Sequence, residues 1–272
     1  MRAQLPDGTP RVLCYTDTMA QSFFLMGRSH LTALWYAWHN QTEAGGPPAS
    51  PYAHAPLMRA GMKAIFLQLE SGRYEPLFEP DGRFHAAVAQ SIAEAKAEVY
   101  VSVLGGNDHS MIGLVAHRPA FDFVLPEAPD LPLDDGAQLL PAGLLEDELS
   151  RRIAPHVAAL AQLQGCAPGR VVHMESPPPL PEAHIRRHPV PFADDIAALG
   201  VAPALLRYKL WRLHSGLYRA ACARLGIAFL PSPPVMRDES GMMHPSGCHP
   251  DATHGNALYG GHVLKALLEF AA

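Results

Sequence analysis

Five short apolar runs set the main constraint on this chain. They are Ser22 to Met26, Lys63 to Leu69, Val99 to Leu104, Arg170 to Met174 and Ile227 to Leu230. Several stop abruptly: the first at Gly27, the third at Gly105-Gly106, the fourth just ahead of Ser176-Pro177-Pro178-Pro179. Between and after them, apolar residues recur at helical spacing. Leu31, Leu34, Trp35 and Trp38 form one such set, and Val88, Ile92 and Ala95, within Phe84 to Glu98, form another. Leu206, Leu210, Leu213, Leu217, Ala221 and Leu225 predict a long helix ended by Gly226, and Leu258 to Phe270 a closing one. Apolar runs separated by helices predict a parallel sheet of about five strands, covered by helices on both faces.

With 272 residues, 48% of them hydrophobic, the chain can bury one large core, and no composition shift divides it. Residues 1–272 are therefore read as a single domain. Its 27 prolines, roughly twice the usual share of about 5%, concentrate in stretches that do not fit the alternation. These are residues 45–56 and 119–141, read as loop insertions that are either lids or surface wraps; residues 1–20 are read as an N-terminal extension. Lys and Arg number 21 against 26 Asp and Glu, a formal charge of −5 with no basic block, which argues against nucleic acid as a partner. No apolar run reaches the ~18–20 residues of a membrane span. Residues 1–10 carry no signal-peptide core, so a cytoplasmic location is expected. The four cysteines lie far apart and are read as free thiols.

In an open parallel sheet, chemistry gathers beyond the carboxyl ends of the strands. After the first run stands Gly27-Arg28-Ser29-His30, leading into a helix. Ser29 there is either an ordinary N-cap or a nucleophile beside unpaired backbone N–H groups. After the third run stands Gly105-Gly106-Asn107-Asp108-His109. This is either a glycine turn with local hydrogen bonds or a close backbone approach with an Asn amide aimed at a developing oxyanion. Ahead of the last helix stands Asp251-Ala252-Thr253-His254. A carboxylate three residues before an imidazole can hold Nδ1–H and leave Nε2 as a base; the same Asp could instead cap the helix. His244, Cys248, His249, Asp251 and His254 are crowded enough to suggest a metal, but their spacing fits no zinc pattern. Ser176 is a rival nucleophile, disfavoured by the prolines that follow it. Met236, Met242 and Met243 are either an adaptable wall for an acyl group or packing beneath a loop.

Taken together, these blocks resemble the SGNH hydrolases, the GDSL-type esterases, lipases and deacetylases. Gly27-Arg28-Ser29 matches their first block with Arg28 in place of the aspartate. Gly105-Gly106-Asn107-Asp108 and Asp251-Ala252-Thr253-His254 match their third and last blocks in full. The resemblance spans Ser22 to Phe270 and implies a flavodoxin-like three-layer α/β/α sandwich. It implies Ser29 as nucleophile, His254 as base and Asp251 as its orienter. The Asn107 side chain, the Ser29 backbone N–H and the Gly72 backbone N–H would be oxyanion donors. Arg28, His30, Gly106 and Asp108 are placed at the substrate, Arg28 either reading a carboxylate or phosphate or pairing with a surface acid.

The expected activity is a serine ester hydrolase working through an acyl-enzyme, with no cofactor and no metal, on a small-molecule or glycan ester. Two alternatives remain at this level. One is an acyltransferase moving an acetyl group to or from carbohydrate. The other is a non-catalytic relative that binds a glycan or acyl ligand.

Overall fold

The computed structural model describes residues 21–39, 57–59, 62–69, 78–79 and 81–272. Gly72, the 45–56 insertion and the 1–20 extension lie outside the described residues. Six strands form the main sheet: β1 (Gln21–Gly27), β2 (Leu57–Arg59), β3 (Met62–Gln68), β4 (Val99–Val103), β7 (Arg170–Met174) and β8 (Ala228–Leu230). Their order is β2-β3-β1-β4-β7-β8. The five strands from β3 to β8 are parallel, and β2 is an antiparallel edge on β3. Numbering the parallel strands alone gives the order 2-1-3-4-5, the flavodoxin-like arrangement. Its topological switch point falls between β1 and β4.

Alternation along β1 divides the interior. Phe23 and Leu25 face one layer, built with α1 (Leu31–His39) and α8 (Ala257–Ala271). Phe24 and Met26 face the other, built with α2 (Ala86–Ala95), α4 (Ala142–Cys166) and α7 (Ala204–Leu225). Residues Phe23 to Gly27 are all buried, as a strand covered on both faces requires. On the first layer, α1 and α8 touch backbone to backbone: a Cβ on Gly260 would overlap the Ala33 carbonyl. Helix α2 ends at Ala95, short of the expected Glu98, because Lys96 turns left-handed and Glu98 bonds to Ser22 at the start of β1. Helix α7 stops where Gly226 takes the same left-handed conformation, as read from the sequence.

Two short strands, β5 (Phe121–Asp122) and β6 (Gln138–Leu139), pair within the second proline-rich stretch. That stretch is a wrap on the outside of the helices: Phe123 and Leu125 pack with Leu145 and Leu149 of α4 and with Leu206 and Leu210 of α7. Between the sheet strands lie three shorter helices, α3 (Asp108–Gly113), α5 (Glu182–Arg187) and α6 (Ala193–Leu199). Among the described residues, no helix is long and apolar enough to cross a membrane.

Candidate active site

The carboxyl ends of β1 and β4 and the loop before α8 meet at the switch point. β1 ends at Gly27, and Ser29 sits exposed in the turn that opens α1. The catalytic-type contacts run from there. His254 Nε2 lies 2.7 Å from Ser29 Oγ. On the far side of the ring, Nδ1 lies 2.7 Å from Asp251 Oδ2. A carboxylate accepts only, so Nδ1 carries the proton and Nε2 presents a lone pair to the serine hydroxyl.

Asp251 is held from four directions. Its Oδ1 accepts the backbone N–H groups of Thr253 at 2.9 Å and His254 at 2.8 Å. Its Oδ2 accepts from His254 and, at 3.2 Å, from His249 Nδ1. Burial alone would raise its pKa, but the hydrogen bonds from His249 and His254 and from the Thr253 N–H hold the carboxyl well below the usual carboxylate range. Asp251 does not cap α8. Asn256 does, its Oδ1 accepting from Leu258 and Tyr259 while its Nδ2 donates to the Ser246 and Cys248 carbonyls. That one side chain fixes both the helix start and the loop that carries the imidazole.

The β4 end supplies Asn107. Gly105 turns the chain with a φ of +70°, a conformation open to glycine. Gly106 follows, and a Cβ there would overlap the His30 ring. Asn107 begins α3 but makes no capping bond with its side chain. Its Oδ1 instead lies 2.9 Å from His30 Nε2. His30 is buried, its ring 4.6 Å from that of His254 between centroids. Burial, with His254 beside it, pushes His30 down to about 3, so the ring is neutral and Nε2 donates to Asn107.

The remaining residues expected at the substrate fall beneath or beside this point. Asp108 is turned inward, its Oδ2 3.9 Å from His156 Nε2 and 3.8 Å from His214 Nε2. Arg28 is half-buried at the turn before Ser29. Burial lowers the His156 pKa, Asp108 opposes that, and the Arg28 charge lowers it further. Ser176 is buried and borders the same hollow as His30 and Gly106, but its hydroxyl has no hydrogen-bonding partner among the described residues and so no base beside it. Met236 and Met243 are part of the core beneath the 244–256 loop, and Met242 is equally buried; they are packing rather than a wall. Among the described residues, no three His, Cys, Asp or Glu side chains converge to share a metal ion. His249 spends Nδ1 on Asp251, and burial pushes the Cys248 thiol up to about 12.

No protein-family profile matches the chain. A search of curated protein sequences finds no match. Solved structures with a related course of chain do exist. One is the periplasmic domain of a lipopolysaccharide acetyltransferase from Salmonella ser. Paratyphi A, 12% identical over 92% of this chain and 83% of that one, TM-score 0.47. Another is a carbohydrate acetylesterase from Sinorhizobium meliloti, 16% identical over 92% and 97%, TM-score 0.43. A third is an extracellular lipase from Streptomyces rimosus, 12% identical over 93% and 100%, TM-score 0.48.

Proposed function

We propose that the protein is a serine ester hydrolase of the SGNH type. The observation that carries this reading is the connected series Asp251, His254, Ser29, with two 2.7 Å contacts and the hydroxyl exposed. In this reading Ser29 Oγ attacks the acyl carbonyl as its proton passes to His254 Nε2, and the imidazolium that forms is stabilised by Asp251. The carbonyl oxygen becomes an oxyanion facing the Asn107 amide and the Ser29 backbone N–H. Collapse expels the alcohol, which takes the proton from His254. Water then enters the same course in reverse, giving the acid and free Ser29. An exposed Ser29 leaves the acyl-enzyme open to water, which favours hydrolysis; a sugar hydroxyl in place of water would make the same intermediate an acyl donor.

Turnover of p-nitrophenyl acetate and labelling by a fluorophosphonate test the reading. Ser29→Ala is expected to lose at least about 10⁴-fold in kcat and all labelling. A variant that keeps the wild-type rate overturns it, and a wild type that neither labels nor turns over favours a ligand-binding protein. Product analysis with and without a sugar acceptor separates hydrolysis from transfer.

A further inference from the structure

Asn107 occupies a position with two competing uses for its side chain. It is the N-cap of α3, where an Asn ordinarily turns its Oδ1 back on the first free N–H groups of the helix. Here that bond is not made. The Oδ1 is taken by His30 Nε2 at 2.9 Å, a contact across 77 residues of chain. A carboxamide whose oxygen is engaged by a donor keeps its Nδ2 hydrogens for another acceptor.

His30 is itself fixed from three sides. It follows Ser29 directly, so its backbone moves with the nucleophile. Its ring lies against the His254 ring at 4.6 Å. Its third neighbour is Gly106, where any side chain would occupy the space of the imidazole. The glycine before Asn107 therefore admits the ring that holds Asn107.

We infer that His30 is a positioning residue: its Nε2–H draws the Asn107 oxygen away from the α3 cap and so keeps the Asn107 amide directed at the reacting carbonyl oxygen. This rests on the esterase reading and extends it. Without the donor, Asn107 falls back to capping α3, and the transition state loses a hydrogen bond while substrate binding is little changed. His30 touches neither substrate nor the transferred proton in this account.

The test is a double-mutant cycle on p-nitrophenyl acetate hydrolysis. His30→Leu fills the space without a donor, and is expected to lower kcat about 10- to 100-fold with KM within about threefold, part of the ~10²–10³ that loss of one oxyanion donor costs. Asn107→Ala is expected to show the full loss. The double variant should be no slower than Asn107→Ala alone, because the two act through one amide. His30→Gln sets an amide N–H where Nε2 stood, and should return most of the lost kcat. Multiplying losses in the double variant, a wild-type kcat for His30→Leu, a loss carried by KM alone, or a Gln variant no better than Leu would each overturn the inference. Should His30→Leu fail to fold, Gly106→Ala displaces the ring from its other side and must show the same fall in kcat; wild-type kcat there overturns it equally. A wild-type protein that fluorophosphonate does not label defeats the esterase reading itself. A labelled wild type with a multiplicative cycle defeats only the role of His30.

Discussion

The chemistry at the candidate site rests on which nitrogen of His254 carries its proton, and Asp251 decides that. An aspartate can only accept, so Nδ1 must donate and Nε2 must be free. Asp251→Asn replaces an acceptor with a group that also donates. The imidazole can then accept at Nδ1 and carry its proton at Nε2, where it blocks the serine. We expect about a 10⁴-fold fall in kcat on p-nitrophenyl acetate. The fold should be preserved, because Oδ1 still accepts from Thr253 and His254 backbone groups. Steady-state kinetics beside a thermal melt check this; an unchanged kcat would contradict it. Much at this scale was legible from spacing, since Ser29, Asn107, Asp251 and His254 each follow a strand or precede a helix. His249 was weighed only as a metal ligand. Its bond to Asp251 depends on a loop folding back so that His249 and His254, five residues apart, share one carboxylate oxygen. The His30–Asn107 contact needed a register between strands that no local pattern encodes.

Among the elements, the five parallel strands were the most legible, several of them closed by glycine or proline, whereas the three-residue antiparallel edge β2 was not read. The 25-residue α4 was not read from the sequence. Its buried set, Leu145, Leu149, Ile153, Leu160 and Leu163, has helical spacing, but Pro155 interrupts it and a charged face of Glu148, Arg151 and Arg152 dilutes the apolar signal. The 119–141 stretch could not be assigned as lid or wrap because its anchor is far away in sequence. Lys209 of α7, fully buried, donates to both oxygens of Asp122 at 2.9 Å and to the Pro132 carbonyl at 2.8 Å. Removing the lysine strands a buried carboxylate. Lys209→Met is expected to cost about 3–5 kcal/mol, and adding Asp122→Asn should recover part of that loss. Denaturant unfolding of the two variants measures both; equal stability of Lys209→Met and wild type would show that the wrap is held by its apolar contacts alone.

At the scale of the whole molecule, the fold buries histidines that must stay neutral. Burial pushes His30 and His173 down to about 3, and His109 well below its ordinary value. The unfolded chain takes up these protons near pH 6.5, whereas the folded chain resists them. Stability is therefore complete above pH 6.5 and falls as pH drops toward 3, by up to about 1.4 kcal/mol per pH unit for each such group. The Asp251 contribution behaves differently: it is present above the unfolded carboxylate value of 3.8 and is lost only below it. Between pH 6.5 and about 5 the histidines set the slope, and the carboxyls with lowered values add to it further down. Melting temperatures should fall steadily through that window, and His173→Asn, which retains a partner for Ser102 without a titrating ring, should show a shallower fall. A flat profile would mean that these rings are protonated in the folded protein.

The hydroxyl and the imidazole that meet at 2.7 Å are 225 residues apart along the chain. All the described strands of the sheet lie before residue 254, so a growing chain can complete that central scaffold before His254 is made. On the proposed reading, the pairing of Ser29 with His254 waits for the loop ahead of α8, the helix that packs on α1, so a chain cut short of that loop should hydrolyse no ester.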